Sequence, residues 1–264
     1  MNIKKINIYW IRHGLSCANI HKYKHILVHD PPLSYDGLEC SIKSSVFVPK
    51  IKYDFIFCSS LKRAIETALS MFPKNKINQT KNKKIISIPY IGEKGMGFDN
   101  VRSNYKHLIN YFSDFKSVLD LELHKDMNKE MDVVNITKFF ELLSIILSLD
   151  YTFNDEVNIA IVTHSHFMVH NHISEGKNKP NNNAIFKVSY KGSIDDMASI
   201  HASPINKTQI SKIYNGCSFK STKKKLYCNI KNKSCQKKPI ETSKKYYRCS
   251  NRKKYTSLNN IKLF

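Results

Sequence analysis

Long apolar runs are missing from this sequence: no stretch approaches the ~18 consecutive apolar residues that a membrane-spanning helix needs. The start is polar and Lys-rich and does not read as a secretory signal. The expectation is therefore a cytoplasmic protein, or one of the host cytoplasm if the source is viral, with no membrane partner. Cys-x-x-Cys pairs are missing too. The seven cysteines are expected to be free thiols rather than a disulfide framework. Cys217, Cys228, Cys235 and Cys249 stand far apart among Lys223-Lys224-Lys225 and Lys237-Lys238, an environment that repels cations, so no metal site is expected there.

Acidic residues are scarce, with 21 Asp and Glu against 43 Lys and Arg and a formal net charge of +22. The excess is uneven. From Cys217 onward 15 basic residues face the single acid Glu241. Lys, Asn and Ile abound throughout, even in loops such as Lys74–Lys84, as an A/T-rich coding sequence would give. With 264 residues, of which 41% are hydrophobic, the chain can bury one sizeable core and carry an appendage. The division expected is a domain over 1–216 and a Lys-rich tail over 217–264. The tail lacks an apolar period and reads as disordered. Its charge, with Tyr227, Tyr246, Tyr247 and Tyr255 interspersed, suits weak non-specific polyanion binding.

Within 1–216, strand-like and helix-like patterns alternate. Strands are expected at 5–11, 53–57, 85–88, 157–162, 184–190 and 209–214. Helices are expected from Ser16, from Ser34 or Tyr35, over Leu61–Met71, around Tyr105–Phe115, over Val133–Leu149 and over 164–173. Phe139, Leu142, Leu143, Ile146 and Leu149 recur at helical spacing and mark a buried face. Such alternation predicts an α/β three-layer sandwich, a mostly parallel central sheet flanked by helices.

The first strand-like run ends in Arg12-His13-Gly14. An imidazole beside a guanidinium at the carboxyl end of a buried strand suits phosphoryl chemistry. Arginine forks onto phosphate oxygens, the following helix start offers N–H groups, and a neutral imidazole can attack phosphorus. Three further segments accompany it: Pro32-Leu33-Ser34-Tyr35-Asp36-Gly37, then Ser59-Ser60-Leu61-Lys62-Arg63-Ala64-Ile65-Glu66-Thr67-Ala68, and Ile159–Val162 running into Thr163-His164. With these four elements in this order, the chain resembles the histidine phosphatase superfamily, in its phosphoglycerate-mutase-like branch, over roughly residues 5–215. Ser34 stands where threonine is usual.

The resemblance implies residue roles. His13 is the nucleophile that forms a phosphohistidine, Arg12 and Arg63 cradle the phosphoryl oxygens, and His164 binds the same group and orients the nucleophile. Ser16 and Asn19 match positions that line the phosphate pocket, with plain capping of the first helix as the alternative. Glu93, in a Gly-rich turn after strand 85–88, is the candidate proton donor, with Asp99 and Glu39 as alternatives. His166 reads as a helix-start or solvent residue. Ser165 stands where the acid phosphatase branch carries aspartate. Glu93 is followed by Lys-Gly-Met-Gly-Phe-Asp-Asn, without the Arg and Tyr with which mutases hold a carboxylate. The expected activity is thus cofactor-independent, metal-free hydrolysis of a phosphate monoester, on a small molecule or a phosphoprotein. Phosphoglycerate mutase and a non-catalytic phosphate-binding module are the alternatives.

Overall fold

A computed structural model of the chain describes residues 5–20, 28–95, 97–125, 134–149, 156–174, 178–190 and 210–217, together with the strands 226–229 and 234–237. The chain enters through β1 (Lys5–Arg12), a short α1 (Cys17–Ile20) and α2 (Tyr35–Ser44). It continues through β2 (Phe55–Ser59), α3 (Lys62–Met71), a one-turn α4 (Lys74–Ile77) and β3 (Ile85–Ile88). Then come α5 (Tyr105–Tyr111), a two-residue β4 (Leu119–Asp120), α6 (Ile136–Leu149), β5 (Glu156–Thr163), α7 (Ser165–His170), β6 (Ile185–Tyr190) and β7 (Ile210–Tyr214).

These seven strands form one sheet in the order β4-β3-β2-β5-β1-β6-β7. Every neighbouring pair from β4 to β1 is parallel, and β6 and β7 add antiparallel at one edge. Strands buried on both faces explain the near-continuous apolar runs, as in Phe55–Ser59, where every residue is buried. Along β1 the faces still alternate. Ile6, Ile8 and Trp10 pack with Phe139, Phe140 and Leu143 of α6 and Phe167 of α7, whereas Tyr9 and Ile11 pack with Ala64, Ile65 and Ala68 of α3 and Leu108 of α5. The sheet therefore lies between two helical layers, as the alternation in the sequence implies.

Local differences from the sequence reading have physical causes. The second strand begins two residues later than expected, and Asp54, just before it, is held by Asn158 of β5: its N–H bonds the Asn158 carbonyl and its carboxylate accepts the Asn158 N–H. The α6 face is rotated slightly. Phe140 and Leu147 are buried with Phe139 and Leu143, while Leu149, at the helix end, is 66% exposed. The Lys74–Lys84 segment is not wholly loop, since Pro73 leads into α4. The expected helix 164–173 stops at His170, and His172 takes a left-handed conformation. The free-thiol expectation is corrected for three cysteines: Cys40 and Cys217 form a disulfide joining α2 to the residue after Gly216, and Cys17 is disulfide-bonded as well, whereas Cys58 is free and buried.

In the tail, β8 (Leu226–Asn229) and β9 (Ser234–Lys237) pair antiparallel, with Cys228 and Cys235 at facing register positions. Its other residues beyond Cys217, Cys249 included, lie outside the described residues. Among the described residues no helix is long and apolar enough to cross a membrane.

Candidate active site

Parallel pairing of β1 with β5 brings the first site residues together. Arg12 stands opposite Thr163 in register, and the His13 N–H continues the ladder to the Thr163 carbonyl at 2.9 Å. The next residue on each strand is therefore a histidine beside a histidine. The His13 and His164 rings lie 4.9 Å apart between centroids, and both residues are buried. Gly14 then fits for want of space rather than for a special φ: a Cβ there would meet Ser41 Oγ at 2.5 Å and the Gly37 carbonyl at 3.0 Å. A Cβ on Gly37 would strike the Leu15 carbonyl at 2.0 Å. The two glycines of the first two motifs thus allow the loop after β1 to lie against α2. Ser34 caps α2 by accepting the Gly37 N–H at 3.0 Å and donates its hydroxyl to the Leu15 carbonyl at 2.9 Å.

His13 Nδ1 lies 2.6 Å from the carbonyl oxygen of Gly14. A carbonyl only accepts, so Nδ1 carries the proton and Nε2 keeps its lone pair. His164 Nε2 lies 2.8 Å from Ser59 Oγ, and its Nδ1 is buried without a hydrogen-bond partner. One potential ligand atom from each of His13, His164 and Glu93 falls within 4.8 Å of the others. Glu93 follows the turn at Pro89–Ile91 and accepts the His166 backbone N–H at 3.0 Å.

Two guanidinium groups face this cluster electrostatically. Arg12, on the last position of β1, donates through Nη1 to the Pro180 carbonyl, and its Nε is buried and unpartnered. Arg63, in the first turn of α3, donates to the Asp99 carbonyl and, at 3.0 Å, to Asn100 Oδ1. Burial, reinforced by Arg63 and Arg12, holds the His13 imidazole well below the usual histidine range. Burial does the same to His164, again with Arg63, His13 and Arg12 adding to it. Both rings are neutral near pH 7. Burial raises the Glu93 carboxyl above its ordinary range, although Arg63, His166 and Arg12 pull it down. Arg12 itself is pushed down by burial to about 10 and stays charged.

His13, His164 and Glu93 are donor types that could hold a divalent cation. Arg12 and Arg63 weigh against it, since their charges favour an anion in the same space. Ser16 and Asn19 bond each other reciprocally, Ser16 N–H to Asn19 Oδ1 at 3.2 Å and Asn19 N–H to Ser16 Oγ at 3.3 Å, which is the capping arrangement for α1. Glu39 is exposed on α2 and pairs with Lys43 at 2.7 Å, outside the cluster. Asp99 meets Arg63 through its main-chain carbonyl. His166 stands at the start of α7, its imidazole largely exposed with Nδ1 3.9 Å from Glu93.

Three further residues support the site, Thr67 from within the third motif and Asn100 and Pro180 from outside the motifs. Thr67 Oγ1 accepts the Gly14 N–H at 2.9 Å and donates to the Arg63 carbonyl, tying the first and third elements together. Asn100 and Pro180 anchor the two arginines from distant loops, contacts between segments that no local pattern announces.

The family model for the histidine phosphatase superfamily (branch 1) matches residues 8–129. Among solved structures, a phosphoglycerate mutase from Bacillus anthracis aligns at 17% identity and a TM-score of 0.46, covering 72% of this chain and 90% of its own. A phosphoserine phosphatase from Entamoeba histolytica, in complex with 3-phosphoglyceric acid, aligns at 17% identity and 0.40, covering 69% and 89%. A mycobacterial glucosyl-3-phosphoglycerate phosphatase aligns at 10% identity and 0.47, covering 81% and all of its own chain. No curated protein matches the sequence.

Proposed function

We propose that this chain, whose residues 8–129 match the family model for the histidine phosphatase superfamily (branch 1), hydrolyses phosphate monoesters through a phosphohistidine on His13. The observation that carries this reading is the neutral His13, its Nε2 unprotonated, beside Glu93 and His164 and under the charge of two arginines.

In the proposed reaction His13 Nε2 attacks phosphorus in line with the ester oxygen. The Nε2–P bond forms as the P–O bond to the alcohol breaks. Glu93, whose burial favours the protonated carboxyl, gives its proton to the leaving oxygen. Water then attacks the phosphohistidine, with the Glu93 carboxylate taking its proton, so the acid is restored and inorganic phosphate leaves. Arg12 and Arg63 stay charged throughout and balance the equatorial oxygens. If the Ser59 hydroxyl donates to His164 Nε2, His164 Nδ1–H is left to meet a phosphoryl oxygen. That would answer its lack of a partner, as an ester oxygen would for Arg12 Nε.

Hydrolase and mutase differ only in what accepts the phosphoryl group from His13, water or a second alcohol. The segment after Glu93 lacks the arginine and tyrosine of the mutase pattern, which favours water. The substrate proposed is a phosphorylated small molecule or phosphoprotein. The test is aryl phosphate hydrolysis by wild type and a His13→Ala variant. Turnover by the first and none by the second supports the proposal. Equal rates would assign the activity to something other than His13.

A further inference from the structure

We propose that Asn182 is a positioning residue for the nucleophile, acting through the peptide group that follows His13. That peptide is held at both ends. Its carbonyl, from His13, accepts the Asn182 side-chain Nδ2–H at 2.9 Å, and its N–H, from Gly14, donates to Thr67 Oγ1 at 2.9 Å. All of these groups are buried or nearly so. Fixing the plane fixes ψ of His13 and φ of Gly14, on which the placement of the Gly14 carbonyl depends, and this carbonyl receives the His13 Nδ1–H. The direction of Nε2, the attacking atom in the function proposed above, therefore depends on Asn182. Without the amide, one end of the plane is free and a buried carbonyl loses its donor.

Asn182 is itself braced from outside the site. Its carbonyl accepts the Cys217 N–H at 2.8 Å, and Cys217 is tied to Cys40 of α2. The neighbouring Asn183, at φ 63°, donates its N–H to the Arg12 carbonyl at 3.0 Å and its side-chain amide to Ser41 Oγ at 2.9 Å. Two residues before Asn182, Pro180 accepts from the Arg12 guanidinium. One turn thus holds the main chain of the nucleophile and the side chain of an anion-binding residue together. Gly216, at φ +81°, lets the brace approach, since a Cβ there would sit 2.3 Å from the Asn182 carbonyl.

The inference rests on the phosphohistidine reading, so its test has one arm that needs no turnover. Imidazole 15N spectra of the wild type should show His13 as the Nδ1–H tautomer, and Asn182→Ala should give mixed tautomers. In steady-state assays on aryl phosphate, Asn182→Ala should lower kcat by about 10- to 100-fold with KM within about 3-fold, because misplacing an attacking atom by about 1 Å costs that order. Gly216→Ala, which pushes on Asn182 from the far side, should split kcat from KM the same way. An Asn182→Ala protein with the wild-type tautomer and wild-type kcat overturns the proposal, and so does a loss of kcat matched by a rise in KM. If the wild type has no turnover, the phosphatase reading fails while the tautomer measurement still decides the role of Asn182.

Discussion

Glu93 takes a hydrogen bond from the backbone N–H of His166, so the carboxyl from the turn after β3 is held by the first residues of the helix after β5. β3 and β5 are not neighbours in the sheet; β2 lies between them. The acid is therefore positioned by tertiary structure rather than by its own loop, with the His166 imidazole on its solvent side. If Glu93 is the general acid, Glu93→Gln should slow alkyl phosphates far more than nitrophenyl phosphate. An alkoxide needs the proton and a nitrophenolate scarcely does, and such help is worth ~10²–10⁴-fold. Equal losses on both substrates would reduce Glu93 to a structural role and turn attention to Asp99.

The pH profile follows from the same groups. His13 is held well below the usual histidine range, so its attacking form is complete before neutrality. Glu93 is raised, so its protonated form persists above the usual carboxylate range and is lost as pH climbs. The log of kcat/KM should therefore peak on the acid side of neutrality. Glu93→Gln should remove the alkaline limb, because glutamine does not titrate. A profile of unchanged shape in that variant would contradict the assignment.

Chelation should leave the rate alone. Arginines, not a carboxylate cluster, supply the charge at the site. Activity lost in EDTA and restored by Mg²⁺ or Zn²⁺ would mean that the chemistry is metal-assisted.

Glu66 gives a stability prediction away from catalysis. Burial pushes its carboxyl up to about 7, although it accepts the Leu33 N–H and the Tyr111 hydroxyl. A folded-state value above the unfolded one means that the folded protein binds the extra proton between about 4.5 and 7. Stability from this group is present at low pH and falls through that window, by on the order of 3 kcal/mol. Glu66→Gln should match wild type near pH 4.5 and melt higher above pH 7. Parallel melting curves across pH would show that Glu66 is not the titrating group.

The basic tail is proposed to bind polyanions weakly, with retention on heparin falling steeply as salt rises. Removing residues 218–264, which spares Cys217 and its bond to Cys40, should abolish that retention and leave aryl phosphate hydrolysis intact. Unchanged retention would assign the charge to composition alone.

Much of the fold was legible in the sequence because buried parallel strands are short apolar runs, as β1, β2, β3 and β5 show, and six of the seven strands of the sheet are expected from the sequence. β4 was not legible: two residues, Leu119 and Asp120, form no pattern, and only pairing with β3 makes them a strand. Arg12, His13, Arg63 and His164 were readable because each sits at or just beyond a strand end, where sequence position fixes location. Glu93 was readable only as one acid among three, because its bond to the His166 N–H of α7 joins segments that no local pattern connects. Ser16 and Asn19 satisfy each other in the structure, so the capping alternative accounts for their bonds. Asn182 was invisible, since a lone asparagine in an Asn-rich turn carries no signal until its amide is found on the His13 carbonyl.

The central claim is a covalent phosphoryl group on His13, and rapid quenching with identification of the modified peptide tests it most directly. Enzyme mixed with an aryl phosphate and stopped in alkali should yield acid-labile, alkali-stable phosphate on the peptide containing His13, and none in His13→Ala. Full turnover with no phosphohistidine at any time point, or with phosphate on another residue, would contradict the account.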